Sequence, residues 1–154
     1  MYYQRYLSFF VLDEFDAVAR DTKRNLQVMS FCRQYAATEA DRNAMEGFRP
    51  YLLMMHYRAI AAVAVERGEF KEAEQAVRKG LRRIRQAYHR AGSLADFGSA
   101  DEVKVLRRVL DALAVASAKD PCVSLEQQLR SAIACEDYEH AAFLRDELAK
   151  LRLA

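Results

Sequence analysis

Tryptophan is absent from this 154-residue chain, proline occurs twice and glycine five times. An all-β domain of this length needs many turns, and turns draw on glycine, proline, asparagine and aspartate. That scarcity argues against β architecture. Charge of one sign is also missing: 24 Lys and Arg stand against 22 Asp and Glu, a net of +2. This is too balanced for a dedicated nucleic-acid binder. The three cysteines, Cys32, Cys122 and Cys135, are few, odd in number and far apart. They fit a reducing compartment better than a disulfide framework, so a cytoplasmic protein of bacterial style is expected. No apolar run approaches a membrane span, the longest weakly polar stretch being near Ala59–Val65. Dinucleotide glycines, a P-loop and a nucleophile elbow are all missing.

The usual side chains of catalysis are equally sparse. His56, His89 and His140 are isolated, and no Cys-x2-Cys pair exists to bind zinc. The acidic pairs Glu14/Asp16 and Asp101/Glu102 fall at helix starts, where the helix dipole favours acids anyway. Glu66, Glu69 and Glu72 lack the Glu-x2-His partner of a di-iron bundle. Neither a metal, a cofactor nor an enzymatic activity is expected.

What is abundant is alanine, leucine, arginine and glutamate, the good helix formers. The sequence predicts an all-α fold of seven helices. They are read over about 2–12, 14–35, 39–67, 69–90, 100–119, 125–134 and 138–152. Tyr2, Tyr6 and Phe9 line the first, and Phe15, Val18, Thr22, Leu26 and Met29 the second. Thr38 should cap the third, with Asp41 as its acidic partner. Pro50 should kink that helix, or break it at Gly47–Arg49 with a restart at Pro50. Its 52–64 stretch is apolar on two sides, as befits a central helix. The fourth helix buries Val77, Leu81, Ile84 and Tyr88. Ser99/Glu102 and Ser124/Gln127 have capping-box spacing. Asp120–Pro121 marks the one domain boundary, giving a body over 1–120 and a hairpin over 122–154.

Two segments echo each other at an offset of 55 residues. Tyr2, Tyr6, Phe9, Asp13, Phe15, Val18 and Leu26 correspond to Tyr57, Ala61, Ala64, Gly68, Phe70, Ala73 and Leu81. The second segment resembles a tetratricopeptide repeat, with its Gly-Glu-Phe turn and small residues at helix contacts. The offset departs from that family's 34-residue period. The resemblance therefore implies repeat-like helical pairs forming a TPR-like antiparallel bundle, without a regular solenoid.

The C-terminal stretch carries Leu125, Leu129, Ala132, Ile133, Glu136-Asp137-Tyr138-Glu139, Ala141-Ala142 and Leu144-Arg145-Asp146-Glu147-Leu148. This pattern resembles the UVR motif of the B and C subunits of the bacterial excision-repair nuclease. Cys135 takes a position that is usually polar, and Phe143 is bulkier than that pattern leads one to expect. The resemblance implies a helical hairpin that pairs with another such hairpin. Such hairpins occur in excision-repair subunits, in Clp-type ATPases and in an activator of a protein-arginine kinase. The segments Leu12–Phe15, Arg20–Thr22, Arg24–Leu26 and Arg49–Tyr51 are similar to a bacterial family that joins a helical body to a terminal UVR motif. That family often carries more residues ahead of this point, which would account for the aromatic start; the alternative is that this start packs inside the fold.

Three sets of candidate residues follow. Leu129, Ile133, Tyr138, Phe143 and Leu144 are the expected docking surface of the hairpin, because hairpin pairing needs a desolvated centre. Arg145, Asp146 and Glu147 should set register at its edge. Arg78, Lys79, Arg82, Arg83, Arg85 and Arg90 form a basic strip fit for phosphates or an acidic protein partner. Arg58, between Met55 and Ala62 in an apolar helix, needs an acidic partner such as Asp21 or Glu46, or a ligand. The leading expectation is a non-enzymatic adaptor or scaffold. Its partner would be another UVR-containing protein, a Clp-type ATPase or a second copy of the chain. The alternatives are a nucleic-acid-associated factor related to excision repair and a structural self-associating protein.

Overall fold

A computed structural model describes residues 3–119 and 121–153, with only the backbone described at 3, 123, 152 and 153. Among the described residues eight α-helices follow one another: α1 Tyr3–Val11, α2 Phe15–Tyr35, α3 Glu39–Asn43, α4 Arg49–Glu66, α5 Phe70–Arg90, α6 Asp101–Lys119, α7 Pro121–Ala134 and α8 Tyr138–Leu153. Two short 3-10 turns, Glu46–Phe48 and Leu94–Gly98, precede α4 and α6. No strand occurs among the described residues. The chain forms two compact units, Met1–Asp111 and Ala112–Ala154. The Pro121 boundary read from sequence is a helix junction, and the second unit also takes in the last turns of α6. Asp120 and Tyr2 lie outside the described residues.

Of the two outcomes expected at Pro50, a kink or a break, the structure shows the break: α3 ends at Asn43 and α4 starts at Arg49. Pro50 sits in the first turn of α4, where its missing N–H costs nothing. The chain therefore stops and restarts rather than kinking. Thr38 caps α3 as expected: its Oγ1 accepts from the Asp41 N–H at 3.1 Å and donates to the Asp41 carboxylate at 2.7 Å. Two other expected caps are corrected. Ser99 donates its hydroxyl to the Asp96 carbonyl at 3.0 Å, closing the preceding 3-10 turn instead of capping α6 with Glu102. Ser124 lies inside α7, which already begins at Pro121, so Ser124/Gln127 is no helix start.

In the first unit α4 is the central element, packed against both α2 and α5. Leu52, Leu53, Met54, Met55, Tyr57, Ala59, Ala61 and Ala64 are all buried, so this helix is covered nearly all round. Val18 and Met29 of α2, Val77 and Ile84 of α5, and Val103 and Leu106 of α6 are also buried. Tyr6 of α1 is buried as well, and Phe9 and Phe10 are half-buried.

Three helix pairs, α1–α2, α4–α5 and α7–α8, close through one and the same turn. In each, a residue in the left-handed region is followed by an acid and then an aromatic residue. The left-handed residues are Asp13 (φ +57°), Gly68 (φ +74°) and Glu136 (φ +57°). The next residue's N–H reaches back five positions to a helix carbonyl: Glu14 to Phe9 and Asp137 to Ala132, both at 2.9 Å, and Glu69 to Ala64 at 2.8 Å. These are the orphan carbonyls of a helix end satisfied by a Schellman-type closure. The 55-residue echo therefore has a third member 68 residues further on, where Leu125, Leu129, Ala132, Glu136 and Tyr138 stand for Tyr57, Ala61, Ala64, Gly68 and Phe70. The third member stands at a different offset from the first two, 68 residues instead of 55, and so falls outside a search at one fixed period.

Candidate functional site

The hairpin α7–α8 is held by a small inner cluster. Ala132, Ala141 and Leu144 are buried together, with Leu125 and Leu129 packed against them. The Asp137 carboxylate accepts from the His140 N–H at 3.1 Å and so caps α8. Leu144 is only 2% exposed. The sequence reading placed it on the docking surface; it belongs inside the hairpin, since its helix position repeats that of Ala141 and Leu148. Leu129 is likewise drawn inward and half-buried. The remaining apolar candidates face outward: Ile133 is 52% exposed, Tyr138 68% and Phe143 60%. Phe143 stacks on His140, ring centroids 6.5 Å apart and planes 11° apart. At the polar edge the Arg145 Nη2 pairs with its neighbour Asp146 at 2.8 Å, and Glu147 with Lys150 at 2.7 Å. Both are surface pairs of small energetic weight.

The basic strip of α5 is fully displayed. Arg78, Lys79, Arg82, Arg83, Arg85 and Arg90 are all exposed. Arg78 is tied to Glu74 one turn back at 2.7 Å. Arg90 differs from the rest of the strip. Burial, and then the charges of Arg33 and Arg49, hold its guanidinium below the usual arginine value.

Arg58 has neither partner the sequence suggested. Asp21 is taken by Arg5, whose Nε and Nη2 donate to its two oxygens at 2.5 and 2.6 Å. Glu46 is taken by the buried Arg49 in the same two-pronged way, both bonds at 2.6 Å. Arg58 instead lies over the Phe10 ring, 4.5 Å from its centroid, a cation–π contact. An aromatic face is a partner that charge-based pairing from sequence does not consider.

His56 of α4 faces α2, its Nδ1 lying 3.1 Å from the Ala19 carbonyl and 3.0 Å from Thr22 Oγ1. Because a carbonyl only accepts, Nδ1 carries the proton. Burial keeps the ring below its ordinary pKa, with Lys23 and Lys79 adding to the effect. Among the described residues no group of three or more His, Cys, Asp or Glu could hold a metal ion. No described helix is long and apolar enough to cross a membrane.

A family model of the UVR motif, described as the UvrB/uvrC motif, matches residues 123–154. The match covers the α7–α8 hairpin and its closing turn. No curated protein matches the chain. No solved structure matches it either.

Proposed function

We propose that the protein is a non-catalytic interaction module, an adaptor or scaffold, whose C-terminal hairpin docks onto another helical hairpin of the same kind. The observation that carries this reading is the exposure of Ile133, Tyr138 and Phe143 on a segment matching the UVR motif. Their apolar surface exceeds what the small inner cluster can cover, and exposed apolar surface marks association sites. Arg145, Asp146 and Glu147 would select the partner at the rim. The partner is a second copy of this chain, another UVR-bearing protein or a Clp-type ATPase. The body would supply a TPR-like scaffold, supported by the repeated helix-pair turn and by the small residue Gly80 at the α4–α5 contact. Cys32, Cys122 and Cys135 form no disulfide, which fits a cytoplasmic setting.

Replacing Ile133 and Phe143 with glutamate should weaken the contact at least about tenfold, the equivalent of about 1.4 kcal/mol. Helix content should be unchanged, because both side chains stand outside the inner cluster. Sedimentation equilibrium of wild type and variant, with capture of UVR-bearing proteins at matched concentrations, reads the effect. An unchanged mass together with unchanged capture would reduce the hairpin to a structural extension.

A second reading, association with nucleic acid, is favoured by the exposed cations of α5. It demands a steep salt dependence, because each neutralised phosphate releases counterions. Given the net charge of +2, fluorescence anisotropy should show only weak, salt-sensitive binding to duplex or single-stranded DNA. Tight binding at physiological salt, lost in an Arg78→Glu, Arg82→Glu, Arg83→Glu variant, would reverse the ranking.

A further inference from the structure

Helices α2 and α5 both pack on α4, which leaves a groove between them with α4 as its floor. Its volume is about 570 Å³. Helix α2 contributes Lys23 and Arg33 to the lining, α4 contributes Arg49 and His56, and α5 contributes Arg83 and Arg90. No acidic residue lines it. The adjoining cavity shares Arg33 and Arg90, and its one acid is Glu46. Five basic side chains therefore converge from three helices, against a single carboxylate.

The groove has direction. At one end Arg49 lies by Ser30, its Nη1 3.4 Å from the hydroxyl. At the other, His56 lies by Ala19 and Thr22. The ten steps of α2 from Lys23 to Arg33 correspond to about 15 Å. That is the span of four or five residues of extended chain at about 3.3 Å each. A compact anion would leave most of this length unused.

At the edge of the groove Arg49 already holds a carboxylate, Glu46 of the adjoining cavity. Glu46 sits on Arg49 in fork-to-fork geometry, the strong form of carboxylate recognition. Burial works to raise the Glu46 carboxyl, yet the hydrogen bonds and charge of Arg49, with Arg33 and Arg90 behind it, hold it below the usual range. The guanidiniums of Arg33, Arg83 and Arg90 form no ion pair among the described residues. Beside them Phe31 is exposed on the lining, and Leu26 is half-buried there. A single nucleic-acid strand needs a stacking platform for successive bases. This lining offers one exposed ring, Phe31, and the exposed Tyr35 beside it is tilted onto that ring, 4.8 Å between centroids, instead of extending a platform along the groove.

We infer that the α2–α4–α5 groove binds a short extended acidic peptide, whose carboxylates meet Arg33, Arg83 and Arg90 and whose apolar side chain rests on Phe31. The surface is distinct from the hairpin face, so the two readings stand or fall separately. The probe is a fluorescein-labelled pentapeptide, Glu-Asp-Leu-Glu-Asp, titrated with the full chain at physiological salt and read by anisotropy. Its amide counterpart, Gln-Asn-Leu-Gln-Asn, should bind at least about tenfold more weakly. Arg33→Glu with Arg90→Glu should lose at least about tenfold, and the milder Arg33→Gln with Arg90→Gln a smaller part of it. Arg107→Glu with Arg108→Glu, the same charge change on exposed α6 positions, should bind as wild type does. Short oligothymidylate should not displace the peptide. The assignment is overturned by no measurable binding or by equal binding of the amide peptide. It is equally overturned by equal loss in the α6 variant, or by displacement at low oligothymidylate concentration, which would give the groove to nucleic acid.

Discussion

Replacing Gly80 with leucine should lower the unfolding free energy by about 3 kcal/mol, near the upper end of ordinary overpacking costs. A Cβ at this position would stand 2.8 Å from the Tyr57 Cβ, 3.0 Å from the Tyr57 Cγ and 3.1 Å from the Leu106 Cδ1. The Tyr57 Cβ is fixed to its backbone, so no rotamer change can move it away. Leu106 is fully buried and has no free direction either. Glycine inside a helix normally costs about 1 kcal/mol relative to alanine. Here that cost is offset by the close approach of α5 to α4. Alanine gains helix propensity but meets the same Tyr57 contact, so Gly80→Ala should be destabilising by about 1 kcal/mol, the net of two opposed effects. Urea unfolding followed by circular dichroism distinguishes the three proteins. A leucine variant as stable as wild type would mean that α4 and α5 do not meet this closely.

The second large effect is expected at Arg5→Met. The change removes the hydrogen-bonding partner of Asp21, which is 1% exposed, and leaves it only the longer contact to Arg20 at 3.9 Å. Orphaning one member of a fully buried pair costs roughly 3–5 kcal/mol. Arg5 is about half exposed, so solvent already screens the pair and about 2 kcal/mol is the fitting figure. The pH dependence gives a sharper test. The Arg5 hydrogen bonds hold the Asp21 carboxyl below its ordinary value, against the opposing effect of burial. A carboxylate whose folded pKa is depressed adds stability above the unfolded value of about 3.9. That contribution is lost as pH falls through the folded pKa. The gap between wild type and Arg5→Met should therefore be full at neutral pH and shrink below about pH 4. Chemical unfolding at a series of pH values measures it, and a gap independent of pH would show that Arg5 acts through packing alone.

Much of the fold is legible in the sequence because helix periodicity, caps and breakers act over a few residues. The Thr38 cap, the inward stripe of α2 and the central place of α4 all follow from local pattern. The two outcomes left open at Pro50 follow from the two roles of proline, which breaks a helix interior but suits a first turn. Less of the candidate site is legible. Leu144 and Phe143 are adjacent and both apolar, and only the placement of α8 against α7 decides that one turns in and the other out. The cationic groove is invisible to a charge count along the chain, since Lys23, Arg33 and Arg49 belong to no basic run. Only the packing of three helices brings them to Arg83 and Arg90. Arg58 was misread for a related reason: its acidic candidates were claimed by Arg5 and Arg49, and competition among like residues is settled in space.

The shared helix-pair turn also bears on how the chain is made. Each closure draws on a carbonyl and an amide five residues apart, so it can form as soon as that short stretch has left the ribosome. Helix and loop closure take microseconds or less, whereas synthesis proceeds at about 5–20 residues per second. Each pair therefore has ample time to close before the next is complete. The α1–α2 turn comes first and the α4–α5 turn later, and the UVR-matching turn is the last to emerge. A nascent chain built this way keeps little unpaired apolar surface waiting for a distant partner, the condition under which unfinished proteins aggregate.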